Sequence, residues 1–162
     1  MTLLEYFRGL VPVESGATAR ALDSLATVPA AARSAPAYAR ALGVMAHNEL
    51  ARKVWMWRLT DVPYDTIPDW FPVVDIERTR AEALERDRDW TRYLASLSEG
   101  DLDRRLEYTA SDGRRFSSAV HEVIAHVFNH STYHRGQVAR IVHELGGQRA
   151  ATDMIALTRR TH

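Results

Sequence analysis

Residues 129–137 read Asn129-His130-Ser131-Thr132-Tyr133-His134-Arg135-Gly136-Gln137, and the way they wind decides the fold. The surrounding segment carries helix punctuation at both ends: Ser117 resembles an N-cap, and Gly146-Gly147 is a stop after about Leu145. The sequence therefore predicts a long helix from Ser118. Positions four apart on such a helix differ by about 40° around the axis and about 6 Å along it, so His130 and His134 can turn their rings toward one ion. His126 continues the same ladder backwards.

Moving outward toward the N-terminus, Leu106 to Phe116 shows short alternating segments around Ser111-Asp112-Gly113, the tight-turn signal of a two-stranded hairpin. Before it, Ile76 to Leu97 reads as a charged helix with an inward stripe of Leu84, Trp90, Tyr93, Leu94 and Leu97. Thr60 to Pro72 holds three prolines together with Tyr64, Trp70 and Phe71. It reads as an ordered loop that closes over something apolar or covers one end of the molecule. Ala37 to Leu59 is a partly buried helix, with Leu42, Met45, Ala46, Glu49, Leu50, Lys53, Val54 and Trp57 at three- and four-residue steps. His47 lies on a neighbouring stripe with Leu50 and Val54.

Pro29 to Pro36 is a connector with one irregular turn. The first helix begins near Leu3 behind Thr2, and Pro12 is expected to kink or divide it near Val11, leaving Ala17 to Thr27 as its secure part. At the other end, Thr152 to Leu157 forms a short helix packed back on the body. The sum is an all-α chain: a four-helix bundle with a small β-hairpin before the fourth helix and a short C-terminal helix, in one domain spanning 1–162.

Composition narrows the function. The 162 residues contain 21 Lys plus Arg and 21 Asp plus Glu, so no field of one sign draws in nucleic acid or an anionic membrane. Cysteine is absent, which removes disulfides, thiolate ligands and thiol nucleophiles, and any metal must be held by nitrogen or oxygen. MTLLEYFRGL lacks the features of a signal peptide, and no run approaches the roughly 20 apolar residues that span a bilayer. The expectation is a cytoplasmic protein without nucleic-acid or membrane partners.

The site chemistry follows from the histidines. A third ligand must come from another helix, and His47, inside the apolar pattern of the second helix, is the best candidate. Three imidazoles around Zn, Ni, Fe or Mn, with Zn or Ni favoured, leave positions for water and substrate, as catalytic sites do. His126 is a fourth ligand, a supporting group or a surface residue. Asn129, Tyr133, Arg135 and Gln137 suit orienting or bridging roles, and Glu49 is a base or the partner of a nearby arginine. Tyr64, Trp70 and Phe71 are placed at the pocket rim. An HxxxH pair also occurs where histidines simply bridge core and solvent, so spacing alone leaves both readings open. The residues between His130 and His134 exclude an HExxH protease site, and no GxGxxG or GxxxxGK[ST] loop is present.

These residues together resemble the DinB-like (DinB/YfiT-like) family of metal-dependent proteins. Asn129 to Gln137 is similar to that family's nHxxxHRGQ segment. Met45-Ala46-His47 followed by Glu49, Trp55, Arg58 and Leu59 resembles its second-helix pattern, and Gly113 to Phe116 and Thr152-Asp153 also fit. The resemblance implies an up-down-down-up bundle, a metal held by His47, His130 and His134, and a homodimer. It further implies an enzyme, a thiol transferase or a hydrolase, in which the metal activates a low-molecular-weight thiol or water toward a small-molecule substrate. The alternatives are a non-catalytic metal-binding or stress-associated helical protein, or a plain helical interaction module.

Overall fold

The computed structural model describes residues 1–64, 69–72 and 74–159. Its main helices are α1 (Leu3–Ala26), α2 (Pro36–Leu59), α3 (Ile76–Ser96) and α4 (Val120–Glu144), with a short α5 (Met154–Thr158). Strands β1 (Arg105–Thr109) and β2 (Arg115–Ala119) pair antiparallel, Leu106 opposite Ser118 and Tyr108 opposite Phe116. Residues 65–68 of the aromatic connector lie outside the described residues.

Helix directions can be read from contacts. Arg8 donates to the carbonyls of Leu94 and Leu97, while Arg80 pairs with Asp23, so α1 and α3 are antiparallel. Tyr38 shares an apolar cluster with Ile76, and Met56 shares the other with Tyr93, which makes α2 parallel to α3. His47 meets His134 and Trp55 meets His126, so α4 runs opposite to α2 and therefore along α1. The bundle is up-down-down-up.

Two apolar clusters fill it. One holds Leu4, Phe7, Trp90, Leu94, Val120 and Ile124; the other holds Leu22, Leu25, Met45, Val138 and Val142. Between them along each chain segment lie buried polar residues: Glu14 and Thr18 on α1, Asn48, Glu49 and Arg52 on α2, Ser131 and Arg135 on α4. The metal-ligand candidates occupy this same level, because His47 immediately precedes that stretch of α2 and His134 lies within that of α4.

Four local expectations are corrected. Pro12 does not divide α1, which is one helix from Leu3 to Ala26. Proline in a helix interior costs about 3 kcal/mol, but Pro12 is on the solvent face. Burial of Leu4, Phe7 and Val11 on the other face outweighs that cost at roughly 1.5–3 kcal/mol for each large side chain. Leu84 is 52% exposed rather than inward, because the buried stripe of α3 is phased through Thr79, Ala83, Arg86 and Trp90. Ser117 is not an N-cap: it pairs with Glu107 in the hairpin, whose strands run beyond Phe116 to Ala119. Helix α4 consequently starts at Val120, and the Glu122 carboxylate accepts the Ala119 N–H at 2.7 Å in place of a serine cap.

The C-terminal stop of α4 behaves as expected. Gly146 takes φ of 79°, its N–H bonds to the His143 carbonyl at 3.0 Å, and the Gly147 N–H bonds to Val142 at 2.8 Å. This is a Schellman motif, in which the first glycine supplies the left-handed backbone. The short α5 returns to α1, where Leu157 packs over Gly16.

Candidate metal centre

Helix α2 delivers His47 and α4 delivers His130 and His134, and one nitrogen from each ring lies within 4.8 Å of the other two. Ring centroids are 5.1 Å apart for His47 and His130, 4.8 Å for His47 and His134, and 4.4 Å for His130 and His134. The antiparallel pairing of α2 with α4 brings the three together, since it sets His47 opposite the four-residue step between the other two.

Two of the rings are oriented by partners on their far side. Nδ1 of His47 is 2.8 Å from the carbonyl oxygen of Trp70, an atom that can only accept, so Nδ1 carries the hydrogen and Nε2 keeps a lone pair. Nδ1 of His134 is 3.0 Å from Oε1 of Gln137, which directs the lone pair of that ring to Nε2 in the same way. Nε2 of His47 then lies 3.4 Å from Nε2 of His130. Burial lowers the pKa of His47, and burial together with the neighbouring His134, His47 and His126 lowers that of His130 to about 4. Three converging imidazoles, two of them tied outward through Nδ1, are a fitting donor set for a first-row divalent ion.

The aromatic connector contributes directly. Phe71 stacks on the ring of His47 with centroids 4.5 Å apart and planes 12° from parallel, and Trp70 lies 5.7 Å from it. Tyr64 is tied to α2: it stacks on Trp57 and accepts a hydrogen bond from Nε of Arg58 at 2.9 Å. The other candidates separate clearly. Arg135 faces α1, where it is buried against Glu14 at 2.6 Å and bonds Thr132. Glu49 is buried in an ion pair with Arg52 at 2.9 Å, and burial raises its pKa to about 7. Asn129 is exposed, and Tyr133 is exposed with its ring edge-on to His134. His126 stays outside the triad, its ring 5.4 Å from that of His130 and 5.5 Å from that of Trp55.

Beside the triad is a cleft of about 350 Å³, reached by His47, His130, His126 and Trp70, and walled by Trp55, Arg58, Tyr108 and Phe116. Among the described residues that line it, none is acidic. Sequence reading missed this wall. Trp55 and Arg58 were visible only as part of a helix pattern, and the inward side of Tyr108 and Phe116 depends on a strand register that alternation over five residues does not settle.

No curated protein and no solved structure matches the chain. The DinB family model matches residues 26–161, a span that contains all three converging imidazoles and the whole aromatic wall, and the chain belongs to the DinB family.

Proposed function

We propose that this protein is a metal-dependent enzyme in which His47, His130 and His134 hold a divalent ion, Zn or Ni in preference to Fe or Mn. It joins a low-molecular-weight thiol, or water, to a small electrophilic substrate. The observation that carries the reading is that the imidazole cluster borders an aromatic cleft instead of being sealed in the core. A bound divalent ion there supplies Lewis acidity, which lowers the pKa of a thiol or of water.

The chain's own residues do the rest. Trp70 and Gln137 hold two imidazoles in the ligating tautomer, and Phe71 restricts rotation of His47. Trp55, Tyr108 and Phe116 exclude water from one side and offer flat apolar surface to the substrate. The nucleophile forms its bond to the electrophilic carbon, the leaving group departs with its electron pair, and the nucleophile's proton passes to solvent. The preference for a thiol over water rests on the family resemblance of the Asn129 to Gln137 motif. A homodimer in the cytoplasm is part of the same proposal; among the described residues, no helix is long and apolar enough to cross a membrane.

The test is turnover at known metal occupancy. Metal-loaded protein is assayed for conjugation of a low-molecular-weight thiol to 1-chloro-2,4-dinitrobenzene and for ester hydrolysis, beside the His130→Ala, His134→Ala double variant. Turnover that requires metal and disappears in the double variant supports the proposal. Full occupancy without either activity favours a metal-binding protein that is not a catalyst.

A further inference from the structure

Arg58 is held in an unusual way for a cation. Its guanidinium carbon lies 4.7 Å from the ring centre of Trp55 and 5.1 Å from that of Tyr108. Nε donates to the hydroxyl of Tyr64 at 2.9 Å and one terminal nitrogen donates to the carbonyl of Thr109 at 3.1 Å. Four neighbours from α2, the connector and β1 thus fix a planar charged group in place. Among the described residues, Arg58 has no carboxylate partner, although most of the other bound arginines do, including the buried Arg52, Arg86 and Arg135.

Among the described residues, a guanidinium pre-organised without a neutralising carboxylate leaves a positive edge on a cleft whose other walls are aromatic or neutral. The triad and Arg58 lie at different heights along α2. Arg58 lies eleven positions beyond His47, about 16 Å along the axis, and the guanidinium folds back over Trp55, roughly one turn nearer to the histidines. The intervening surface is Ala51, Trp55 and the His126 edge.

We infer that Arg58 is the specificity residue of this cleft, and that it selects substrates with a carboxylate at one end and a flat apolar body reaching toward the histidine triad. The inference rests on the cleft being the substrate site, but the anchor works without a metal. Arg58 bonds the carboxylate through its remaining donors, and Trp55, Tyr108 and Phe116 cover the body. Charge-assisted bonds of this kind are worth about tenfold or more in affinity.

The experiment compares 4-phenylbutanoate with its neutral amide, 4-phenylbutanamide, by calorimetry on metal-loaded and metal-stripped protein. The expected result is an acid that binds about tenfold or more tighter than the amide in both forms. Arg58→Gln should remove the preference and leave amide binding. Because Arg58→Gln also disturbs the stack on Trp55, Ser111→Asp is measured beside it: this change places a carboxylate on the exposed hairpin turn at the cleft mouth and should weaken the acid alone. Equal affinity for acid and amide overturns the inference. So does a preference that survives Arg58→Gln and vanishes on metal removal, since the acid is then bound at the histidines. An intact acid preference in fully metal-loaded protein that shows neither thiol conjugation nor ester hydrolysis leaves the anchor standing and refutes the enzymatic reading.

Discussion

Gln137 accepts the Nδ1 hydrogen of His134 at 3.0 Å from three residues further along α4, so the ring that faces the cluster is oriented from within its own helix. The corresponding bond to His47 comes from the Trp70 carbonyl, which no side-chain substitution removes. Gln137 is therefore the accessible handle on ligand orientation.

Replacing Gln137 by alanine frees the His134 ring to rotate and to change tautomer. Loss of such an outer partner lowers metal affinity by about 10- to 100-fold. Chelator competition on the purified Gln137→Ala protein should show that drop, whereas Gln137→Glu, which keeps an acceptor, should stay near the parent. Unchanged affinity in the alanine variant would mean that the bond does not orient the ligand.

Acid should weaken the metal-free protein through the same rings. His130 is lowered to about 4 and His47 is lowered as well, burial being the main cause for each. Between about 4 and the ordinary histidine value near 6.5, the folded chain binds fewer protons than the unfolded one. Their stabilising contribution is present above that window and is lost as pH falls through it. The urea midpoint of metal-free His130→Gln minus that of the metal-free parent should therefore rise as pH falls from 7 to 5; a difference that does not change with pH would contradict the assignment.

How much of this was legible beforehand depends on the range of the signal. The His130 and His134 pair, the Asp112-Gly113 turn and the Gly146-Gly147 stop are local patterns, and the structure keeps all three. His47 was the best candidate for a third ligand because it sits inside the apolar pattern of the second helix, although a histidine there can also simply bridge core and solvent. Arg135 sits one residue from a ligand and was grouped with the site, yet one step along a helix is a rotation of about 100°, which turns it toward Glu14 on α1. Leu84 failed for the same reason of phase, and the division expected at Pro12 failed because tertiary burial overrides local propensity. The cleft wall needed the strand register and the helix pairing together, which are long-range facts.

Glu49 gives a pH dependence of opposite sign. Burial raises it to about 7 against the stabilising pull of Arg52, with Glu14 and Asp87 adding to the rise. A raised carboxyl binds more protons in the folded chain, so its contribution is complete below about 4.5 and is lost as pH climbs through 7. Glu49→Gln cannot ionise. The unfolding free energy of Glu49→Gln minus that of the parent should therefore rise between pH 4.5 and 8, by up to about 3 kcal/mol, and denaturant titration at several pH values reads it directly. A difference that does not change with pH would show that Glu49 titrates normally in the folded chain.

The ion pair of Arg135 with Glu14 crosses from α4 to α1 at 2.6 Å, with both side chains almost wholly buried. Two charges in such a place are expensive to desolvate and are tolerated because each neutralises the other. Arg135→Met alone strands the Glu14 carboxylate, and Glu14→Gln alone strands the guanidinium; each should cost about 3–5 kcal/mol. The double variant removes both charges, so it should be markedly more stable than the sum of the single losses implies, a coupling that urea unfolding at pH 7 can measure. Because the pair faces away from the imidazoles, Arg135→Met should keep near-stoichiometric metal while it loses stability. Additive losses would dissolve the pair as an energetic unit, and metal lost in proportion to the substitution would return Arg135 to the site from which the fold separates it.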